Sequence, residues 1–534
     1  MFRLRSLIAA LALLAAPAAA AAQSGDNVLI VINDASQASV QIGEYYARAR
    51  SVAQGHIVRL KTATTDSITR AEFTQTIESP IARWLALHNL QDRILYIVLT
   101  KGIPLRVPGS DGREGTVASV DSELTLLYRK MTGQPVGQLG RVENPYFLGT
   151  APVAEAKPFT RLVADTYLVT RLDGFTIDDV LKLIDRSVNP VAQGTFVLDQ
   201  KATLIDRGGD QWLQEAADRI RIATAADRVA LETTRAIAPK PAGPVMGYFS
   251  WGSNDPANKL RKTGFEFAPG AIGGLFVSTD GRSFQEPPPD WVPGPSTRPL
   301  GTYGSGSQSI IGDLIREGIT GVAAHVTEPY LDATIRPQVL FPAYLAGFNL
   351  AEAFYLSMPY LSWQTIVVGD PLCTPFPRRT LADSEIHKGI DPETEVPALF
   401  AQRRLALSAT SGFNLQALKL LVKSEAYNIR NDEANLEPIL VQATALEPRL
   451  LDAQLRLATL YEARKDYKNA VDRYRKMVAI DPSNAVVLNN LAFALAEHLN
   501  SAKEALPIAE KAYQLAPHPI IDEYARTLSE VERV

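Results

Sequence analysis

The chain has little cysteine and little excess charge of either sign. Its one cysteine is Cys373, so an internal disulfide, a cysteine-based zinc cluster and a CxxC redox pair are all excluded. Lysine and arginine together number 54 and aspartate and glutamate 58, which gives a net charge of −4. A net charge this small gives no electrostatic reason to expect nucleic acid or an anionic membrane as the main partner.

Sequence motifs that would name a reaction are also missing. There is no GxxxxGK(S/T), no GxGxxG after the first predicted strand, no HExxH and no GxSxG. The letters GSGS at 304–307 resemble a nucleophile elbow only superficially, because residues 280–308 contain six prolines and five glycines and predict a long loop. The sequence therefore predicts no P-loop, dinucleotide, zincin or serine-hydrolase site of these types.

The first 22 residues have the three parts of a secretory signal peptide. Arg3 and Arg5 precede a short apolar run, Leu7–Leu14, and a small-residue stretch, Ala15–Ala22, follows it. A membrane anchor, the alternative, needs about 20 strongly apolar residues, and much of this stretch is alanine. We therefore expect cleavage near Ala22 and a periplasmic or secreted protein that does not span the membrane afterwards.

The 534 residues are enough for two or three domains, and the first pattern extends from residue 23 to about 380. Continuous apolar runs such as Val28–Ile32 and Arg93–Leu99 alternate with amphipathic stretches such as Ser36–Ser51. Further strands are predicted at 57–60, 164–169, 202–205, 244–249, 274–278, 321–325 and 365–368, and helices at 69–88, 177–186, 210–224, 307–317 and 341–355. This alternation predicts an α/β domain with a mostly parallel, doubly wound sheet covered on both faces.

The pattern changes after this domain. Residues 381–397 are polar and acidic without periodicity, and we assign 381–412 as a linker. Residues 413–534 have the spacing of a tetratricopeptide repeat: one unit runs from Leu451 to Pro482 and the next ends at Pro517, with one residue inserted near Asn500. We therefore expect an all-α repeat domain with a concave surface for a protein or peptide partner.

Polar residues follow the predicted strands of the α/β domain, where ligands bind in open sheets of this class. The strand ends supply Lys101, Arg171, Asp173, Trp251, His325, Glu328 and Asp370. His325 is the first candidate for a general base or metal ligand, with Glu328 or Asp370 orienting it and Asp173 as a further catalytic candidate. The alternative is a half-buried histidine bonded to a backbone carbonyl.

Substrate contacts are predicted at Lys101, Arg171 and Trp251, and at the closely spaced carboxylates Asp121 and Glu123. The two carboxylates suit acid–base work if one is desolvated, but a solvated loop or a helix N-terminal turn would also contain such a pair. For Arg171 an internal ion pair is the alternative. We expect no cofactor; the alternative is a divalent cation held by carboxylates of Asp121, Glu123, Asp173, Glu328 and Asp370.

Several motifs between residues 26 and 376 resemble an uncharacterised family of exported bacterial proteins found in genomes that encode exosortase, a membrane protein-sorting system. They are VLIVINDASQASVQIGEYYARARSV, ILYIVLTKGIPLRV, SVDSELTLLY, LVTRLDG, GVAAHVTEPYLDA and VVGDPLCTPF. Some members also add tetratricopeptide repeats. The resemblance implies a genomic setting and no activity.

A fainter resemblance is to the caspase–gingipain cysteine peptidase fold. The segment GYFSWGSND resembles the one that carries the catalytic His-Gly pair in gingipains, and GVAAHVTEPYL resembles the strand before the catalytic cysteine. Here Trp251-Gly252 stands in place of His-Gly, and no cysteine follows the later strand. Cys373 follows a different strand. The resemblance therefore implies a caspase-like domain without the peptidase dyad.

Three functional hypotheses follow. The first is an exported interaction protein of the bacterial envelope, linked to exosortase and exopolysaccharide systems, whose repeats bind a protein or peptide. The second is a hydrolase, with or without a metal, that uses His325 and nearby carboxylates. The third is a peptidase relying on Cys373, which requires a reactive thiol.

Overall fold

The computed structural model describes residues 23–112, 115–136, 140–203, 207–224, 228–296, 301–376, 380–408 and 412–516. The signal-like segment 1–22 and residues 517–534 lie outside the described residues. The strands are β1 (Val28–Asn33), β2 (Ile57–Leu60), β3 (Tyr96–Thr100), β4 (Arg106–Gly112), β5 (Gly115–Ser119), β6 (Val142–Glu143), β7 (Leu168–Leu172), β8 (Thr195–Asp199), β9 (Val229–Glu232), β10 (Val245–Ser250), β11 (Phe267–Leu275), β12 (Gly321–His325), β13 (Tyr360–Leu361) and β14 (Thr365–Val368).

Ten of these strands form one sheet in the order β2-β1-β3-β7-β14-β12-β11-β10-β8-β9. Every neighbouring pair is parallel except β12 and β14, which pair antiparallel with His325 opposite Thr365. The sheet therefore consists of two parallel halves that point in opposite directions. This confirms a large, mostly parallel α/β sheet and adds a reversal at its centre.

Helices cover both faces of the sheet. In β1, Val28, Ile30 and Ile32 belong to one buried cluster, and the alternate residues Leu29 and Val31 belong to another on the opposite face. The helices are α1 (Gln37–Ala49), α2 (Arg70–Phe73), α3 (Ser79–Leu87), α4 (Val120–Thr125), α5 (Leu127–Thr132), α6 (Ile177–Val188), α7 (Arg207–Ala223), α8 (Ile311–Glu317), α9 (Pro337–Leu345), α10 (Leu350–Leu356), α11 (Asp383–Ile386), α12 (Ala398–Ser408), α13 (Leu415–Ile429), α14 (Glu433–Leu446), α15 (Leu451–Ala463), α16 (Tyr467–Ile480), α17 (Ala485–Phe493) and α18 (Ala502–Leu515).

Several predicted elements differ from the structure. The strands predicted at 164–169 and 274–278 share only two residues each with β7 and β11, and two further elements differ more. Of the strand predicted at 202–205, residues 204 and 205 lie outside the described residues, and 202 and 203 are irregular; the strand of this region is β8, at 195–199. The single helix predicted at 341–355 is two helices, α9 and α10. Gly347 separates them with φ +87, a conformation that an L side chain rarely adopts.

The C-terminal region is a stack of helical hairpins with tetratricopeptide-like spacing. Helices α13 and α14, α15 and α16, and α17 and α18 pack as pairs, and each pair packs on the next. Asp432 and Asp466 cap the second helix of their pairs in the same way, each accepting a hydrogen bond from an asparagine N–H three residues on. Near the predicted insertion at Asn500, residues Ala494–His498 form a π turn, which accommodates one extra residue in a helix.

The segment predicted as a linker is packed against both regions. Phe400 of α12 is 6% exposed and meets the ring of Tyr128 edge-on at 5.8 Å. The N–H groups of Leu399 and Phe400 both donate to Asp92 Oδ2, at 2.8 and 3.2 Å. Val422 of α13 belongs to the same buried cluster as the sheet residues of this face. The repeats are therefore joined to the α/β domain through shared apolar packing.

Candidate functional site

The residues predicted at the strand ends lie at two opposite edges of the sheet. His325 pairs with Thr365, the first residue of β14, whereas Asp370 follows the last residue of that strand. At about 3.3 Å per residue, the two positions are separated by roughly 16 Å along the sheet. Lys101, Arg171 and Asp173 share the edge of Asp370, and Trp251 shares the edge of His325. The structure therefore does not bring His325, Asp173 and Asp370 into one cleft.

Arg171 is the centre of a buried ion network. Its guanidinium donates to both carboxylate oxygens of Asp121, at 2.9 and 2.5 Å, and to Asp173 at 3.2 Å. Lys101 Nζ lies 3.1 Å from the other oxygen of Asp173. Arg171 and Asp121 are at most 1% exposed. Two cations thus meet two carboxylates inside the protein, which favours the internal ion pair over a substrate contact for Arg171.

The predicted carboxylate pair lies in the first turn of α4 and is buried. Asp121 faces Arg171, whereas Glu123 accepts hydrogen bonds from Arg70 at 2.6 Å and from Ser362 at 2.5 Å. The two carboxylates therefore bind different partners. Roles of Asp121, Glu123 and Lys101 in substrate binding stay predictions. In the structure the two carboxylates connect α4 to neighbouring elements.

Asp370 and Cys373 form a second buried polar cluster. Asp370 accepts hydrogen bonds from the Tyr46 hydroxyl and from Arg50 Nε, both at 2.6 Å. Cys373 Sγ lies 3.4 Å from the Tyr344 hydroxyl. Burial, together with the charge of Asp370, raises the pKa of the Cys373 thiol to about 12. Such a thiol is protonated at neutral pH and is a poor nucleophile.

His325 is buried beside Asp280. Its Nδ1 lies 3.0 Å from the carbonyl of Val277 and 3.5 Å from Asp280 Oδ1, and because both are acceptors Nδ1 carries the proton. Asp280 is fully buried, and burial raises its pKa. Within the described part of the chain, His325 Nε2 has no hydrogen-bond partner, but the ring is only 2% exposed. Glu328 accepts a hydrogen bond from the N–H of Tyr330, two residues further on.

Trp251 lies near charged residues that were not predicted from the sequence, namely Asp210, Lys201 and Asp199. Its Nε1 donates to Asp210 Oδ1 at 2.7 Å, and Lys201 Nζ lies 3.7 Å from its ring centroid. Asp199, at the end of β8, is 2% exposed and lines a cavity of about 60 Å³. Burial raises the pKa of Asp199 to about 7, and the N–H of Ala238 donates to it at 3.2 Å. A correct placement of β8 would have marked Asp199 as a strand-end residue.

No set of metal ligands is assembled in the described part of the chain. Among those residues, no group of three or more histidine, cysteine, aspartate and glutamate side chains is placed to hold a cation. Of the five carboxylates proposed for a divalent cation, four face arginines instead, namely Asp121, Glu123, Asp173 and Asp370, whereas Glu328 accepts a backbone hydrogen bond. In the same residues, no helix combines the length and hydropathy needed to cross a bilayer.

The repeats carry an open groove. It has a volume of about 540 Å³ and lies between the end of α13, the start of α14 and the exposed face of α15. Its wall on α15 includes Asp452, Leu455, Arg456 and Thr459, and Leu455 is 37% exposed. An exposed leucine between a carboxylate and a guanidinium offers both apolar and charged contacts. The groove can therefore bind a peptide segment that carries both kinds of side chain.

The raised pKa of Asp199 predicts a pH-dependent stability. Because its folded-state pKa lies above the ordinary value of 3.8, folding favours the protonated carboxyl, and this contribution is lost as the pH rises from about 4 to about 7. We expect Asp199→Asn to raise the free energy of unfolding by about 4 kcal/mol at pH 8 and by about 2 kcal/mol at pH 5. Urea unfolding at both pH values measures this. Asp218→Asn, at an exposed carboxylate of α7, is the control, and an equal gain at both pH values would contradict the prediction.

The burial of Cys373 predicts a slow thiol. In the native protein at pH 7.4, iodoacetamide should modify Cys373 far more slowly than a free cysteine peptide, because both solvent access and the thiolate form are lacking. In guanidinium chloride the rate should reach that of the peptide. Mass spectrometry of timed samples gives both rates. Rapid modification of the native protein would instead support the Cys373 peptidase hypothesis.

No protein-family model matches the chain, and no curated protein matches it. Solved structures similar to part of it include the MamA RS-1 ArsTM double mutant, at 20% identity and a TM-score of 0.21, covering 24% of this chain and 73% of that chain. The first TPR of Spaghetti (RPAP3) bound to an HSP90 peptide matches at 18% identity and a TM-score of 0.21, covering 22% of this chain and 94% of that chain. The CopN–Scc3 complex matches at 14% identity and a TM-score of 0.20, covering 23% of this chain and 73% of that chain. TM-scores this low carry no argument, so the case for helical repeats rests on the packing of α13 to α18.

Proposed function

We propose that this chain is an exported protein-interaction protein whose repeat region binds a peptide segment of a partner protein. The observation that carries the proposal is the open groove on α15, with an exposed leucine among charged and polar side chains. By contrast, Arg171, Asp121 and Asp370 of the α/β domain are engaged with one another or with buried neighbours. The surface that offers free contacts is therefore in the repeats.

In this proposal the α/β domain is a scaffold without cysteine peptidase chemistry. Trp251 stands where the resemblance to gingipains would require a histidine, and its indole donates to Asp210. Cys373 is buried, with a pKa raised to about 12, and its hydroxyl neighbour is Tyr344 rather than a base. The caspase-like character of the domain and its setting in exosortase and exopolysaccharide systems rest on the sequence resemblance alone.

The hydrolase hypothesis receives less support. Among the residues that the structure describes, His325 Nε2 has no hydrogen-bond partner, and a carboxylate lies beside the ring, as for a general base. The ring is nevertheless covered, and Asp173 and Asp370 lie at the other edge of the sheet. A substrate would have to reach a buried nitrogen, so partner binding is the better supported function.

The groove is tested with peptides selected from a phage-displayed random library on the mature full-length protein. We expect Leu455→Asp to weaken the binding of selected peptides about tenfold, because it removes apolar surface and adds a negative charge beside Asp452. Fluorescence anisotropy measures the affinity of each labelled peptide.

Leu446→Asp is the matched control, since Leu446 is 42% exposed on α14 and does not line the groove. It should leave the affinity unchanged, and circular dichroism checks that both variants are folded. A library that yields no binder, or peptides that bind the Leu455→Asp protein as well as the wild type, would refute the proposed function.

Export has its own test. When the full chain is expressed in a Gram-negative host, we expect the protein in the periplasmic fraction, with an N-terminus that follows Ala22. N-terminal sequencing and fractionation measure this, and Leu11→Arg, which interrupts the apolar run, is the control that should retain the protein in the cytoplasm. Recovery of the unaltered chain beginning at Met1 in the cytoplasm would contradict the localisation.

A further inference from the structure

A cavity of about 440 Å³ lies between the α/β domain and the first repeat helix. The α/β side contributes α3 and α5, and the other side is formed by α12 and α13. Its apolar lining includes Ala82, Ala86, Met131, Phe400, Val422 and Ala426. The volume falls within the range of about 300–1,000 Å³ typical of ligand sites.

The walls of this cavity are held in place by packing and hydrogen bonds. Phe400 is anchored by its edge-on contact with Tyr128 and by its N–H bond to Asp92. Val422 and Ala426 are 5% and 4% exposed, and both belong to the buried cluster of the sheet face. The alanines of α3 leave room because their side chains end at Cβ. The cavity is therefore a built feature of the junction.

Gln91 supplies an unpartnered polar group in the cavity wall. Gln91 is 2% exposed, and its Oε1 is buried without a hydrogen-bond partner among the residues that the structure describes. Buried amides in folded proteins are nearly always hydrogen-bonded. An amide has one donor group and one acceptor, which is the complement of a peptide backbone N–H and C=O.

The cavity adjoins the repeat groove. Asn428 and Asn431, at the end of α13, line both. Glu425 lies in the cavity wall and pairs with Arg404 and, at 3.1 Å, with Arg456 of the groove. An extended segment lying in the groove therefore has only these two asparagines to pass before it reaches the cavity. This proximity favours a peptide over an isolated small molecule as the occupant.

We propose that the cavity receives one large apolar side chain of the partner peptide, while Gln91 pairs with the peptide backbone. The inference rests on the proposed function, because the same peptide occupies the groove on α15. It adds that the α/β domain forms one wall of the binding site. Partner recognition then requires both regions in their observed arrangement.

The inference is tested on the full chain with the peptides selected above. Ala86→Trp should fill the cavity from the half-buried face of α3 and weaken binding about tenfold. Gln91→Met keeps an unbranched side chain but removes the amide, and should weaken binding several-fold. Ala479→Trp, the same substitution at an exposed alanine of α16, should leave the affinity unchanged.

The outcomes separate the two proposals. If Leu455→Asp weakens binding but Ala86→Trp and Gln91→Met do not, the groove binds the peptide and the cavity inference is wrong. If none of the three weakens binding, both proposals fail. If Ala86→Trp does not fold, Gln91→Met decides alone: loss of affinity supports the inference, and unchanged affinity overturns it.

The identity of the occupant is tested by crosslinking from Arg83→Cys, at an exposed residue of the cavity wall, where a label leaves the cavity itself open. Because the native thiol is buried, benzophenone maleimide should label the introduced thiol selectively. We expect irradiation to join the label to a bound selected peptide, at the position of its large apolar residue. A crosslink from the label to residues 517–534 of the same chain would instead overturn the inference. So would a yield of crosslinked product that is the same with and without the peptide.

Discussion

The antiparallel pairing of β12 with β14 governs what the α/β domain can do. In a sheet that is parallel throughout, all carboxyl ends open on one edge, and polar residues that follow the strands gather there. Here the direction reverses at the centre of the sheet, so His325 and Asp370 lie at opposite edges although both follow strands that are neighbours in the sheet. The polar strand ends are divided into two groups, and in the group of Arg171 and Asp370 each charge is paired locally.

Local satisfaction has a physical reason. A charge taken out of water is costly unless a partner and hydrogen bonds compensate it, so a fully buried guanidinium such as that of Arg171 requires carboxylates around it. The resulting networks connect elements that are distant in sequence: Arg171 connects β7 to α4, and Asp370 connects the turn after β14 to α1 through Tyr46 and Arg50. In the folded chain, Arg171 and Asp370 are therefore charged contacts between layers, and a catalytic role for the predicted residues stays a prediction.

Much of the architecture could be predicted from the sequence, and the failures have identifiable causes. The apolar runs of β1, β3 and β12 are long enough to mark buried strands, and the repeat spacing placed α15 and α16 because small residues recur at their contacts. Strand β8 was missed because the strand of that region was assigned a few residues too late, at 202–205. The reversal at β14 could not be predicted, since apolar periodicity contains no information about strand direction. For the same reason the sequence could not show whether His325, Asp173 and Asp370 lie at the same edge of the sheet.

The segment between the two regions illustrates a further limit and has the larger functional consequence. Residues 381–397 are polar and acidic, so their composition resembles a linker, yet Ile386 and Val396 are buried, as is Phe400 in the helix that follows. A few large side chains are enough to pack such a segment against its neighbours when apolar surfaces lie on both sides of it. The presence of those surfaces cannot be recognised from the composition of the segment. Because α12 packs on α5 and α13 packs on α3, the first repeat helix is held against the sheet domain. A surface formed by two regions in this way is specific to their relative position. In the proposed binding mode the α/β domain contributes to recognition through this surface, although its buried Arg171 and Asp370 are internally paired.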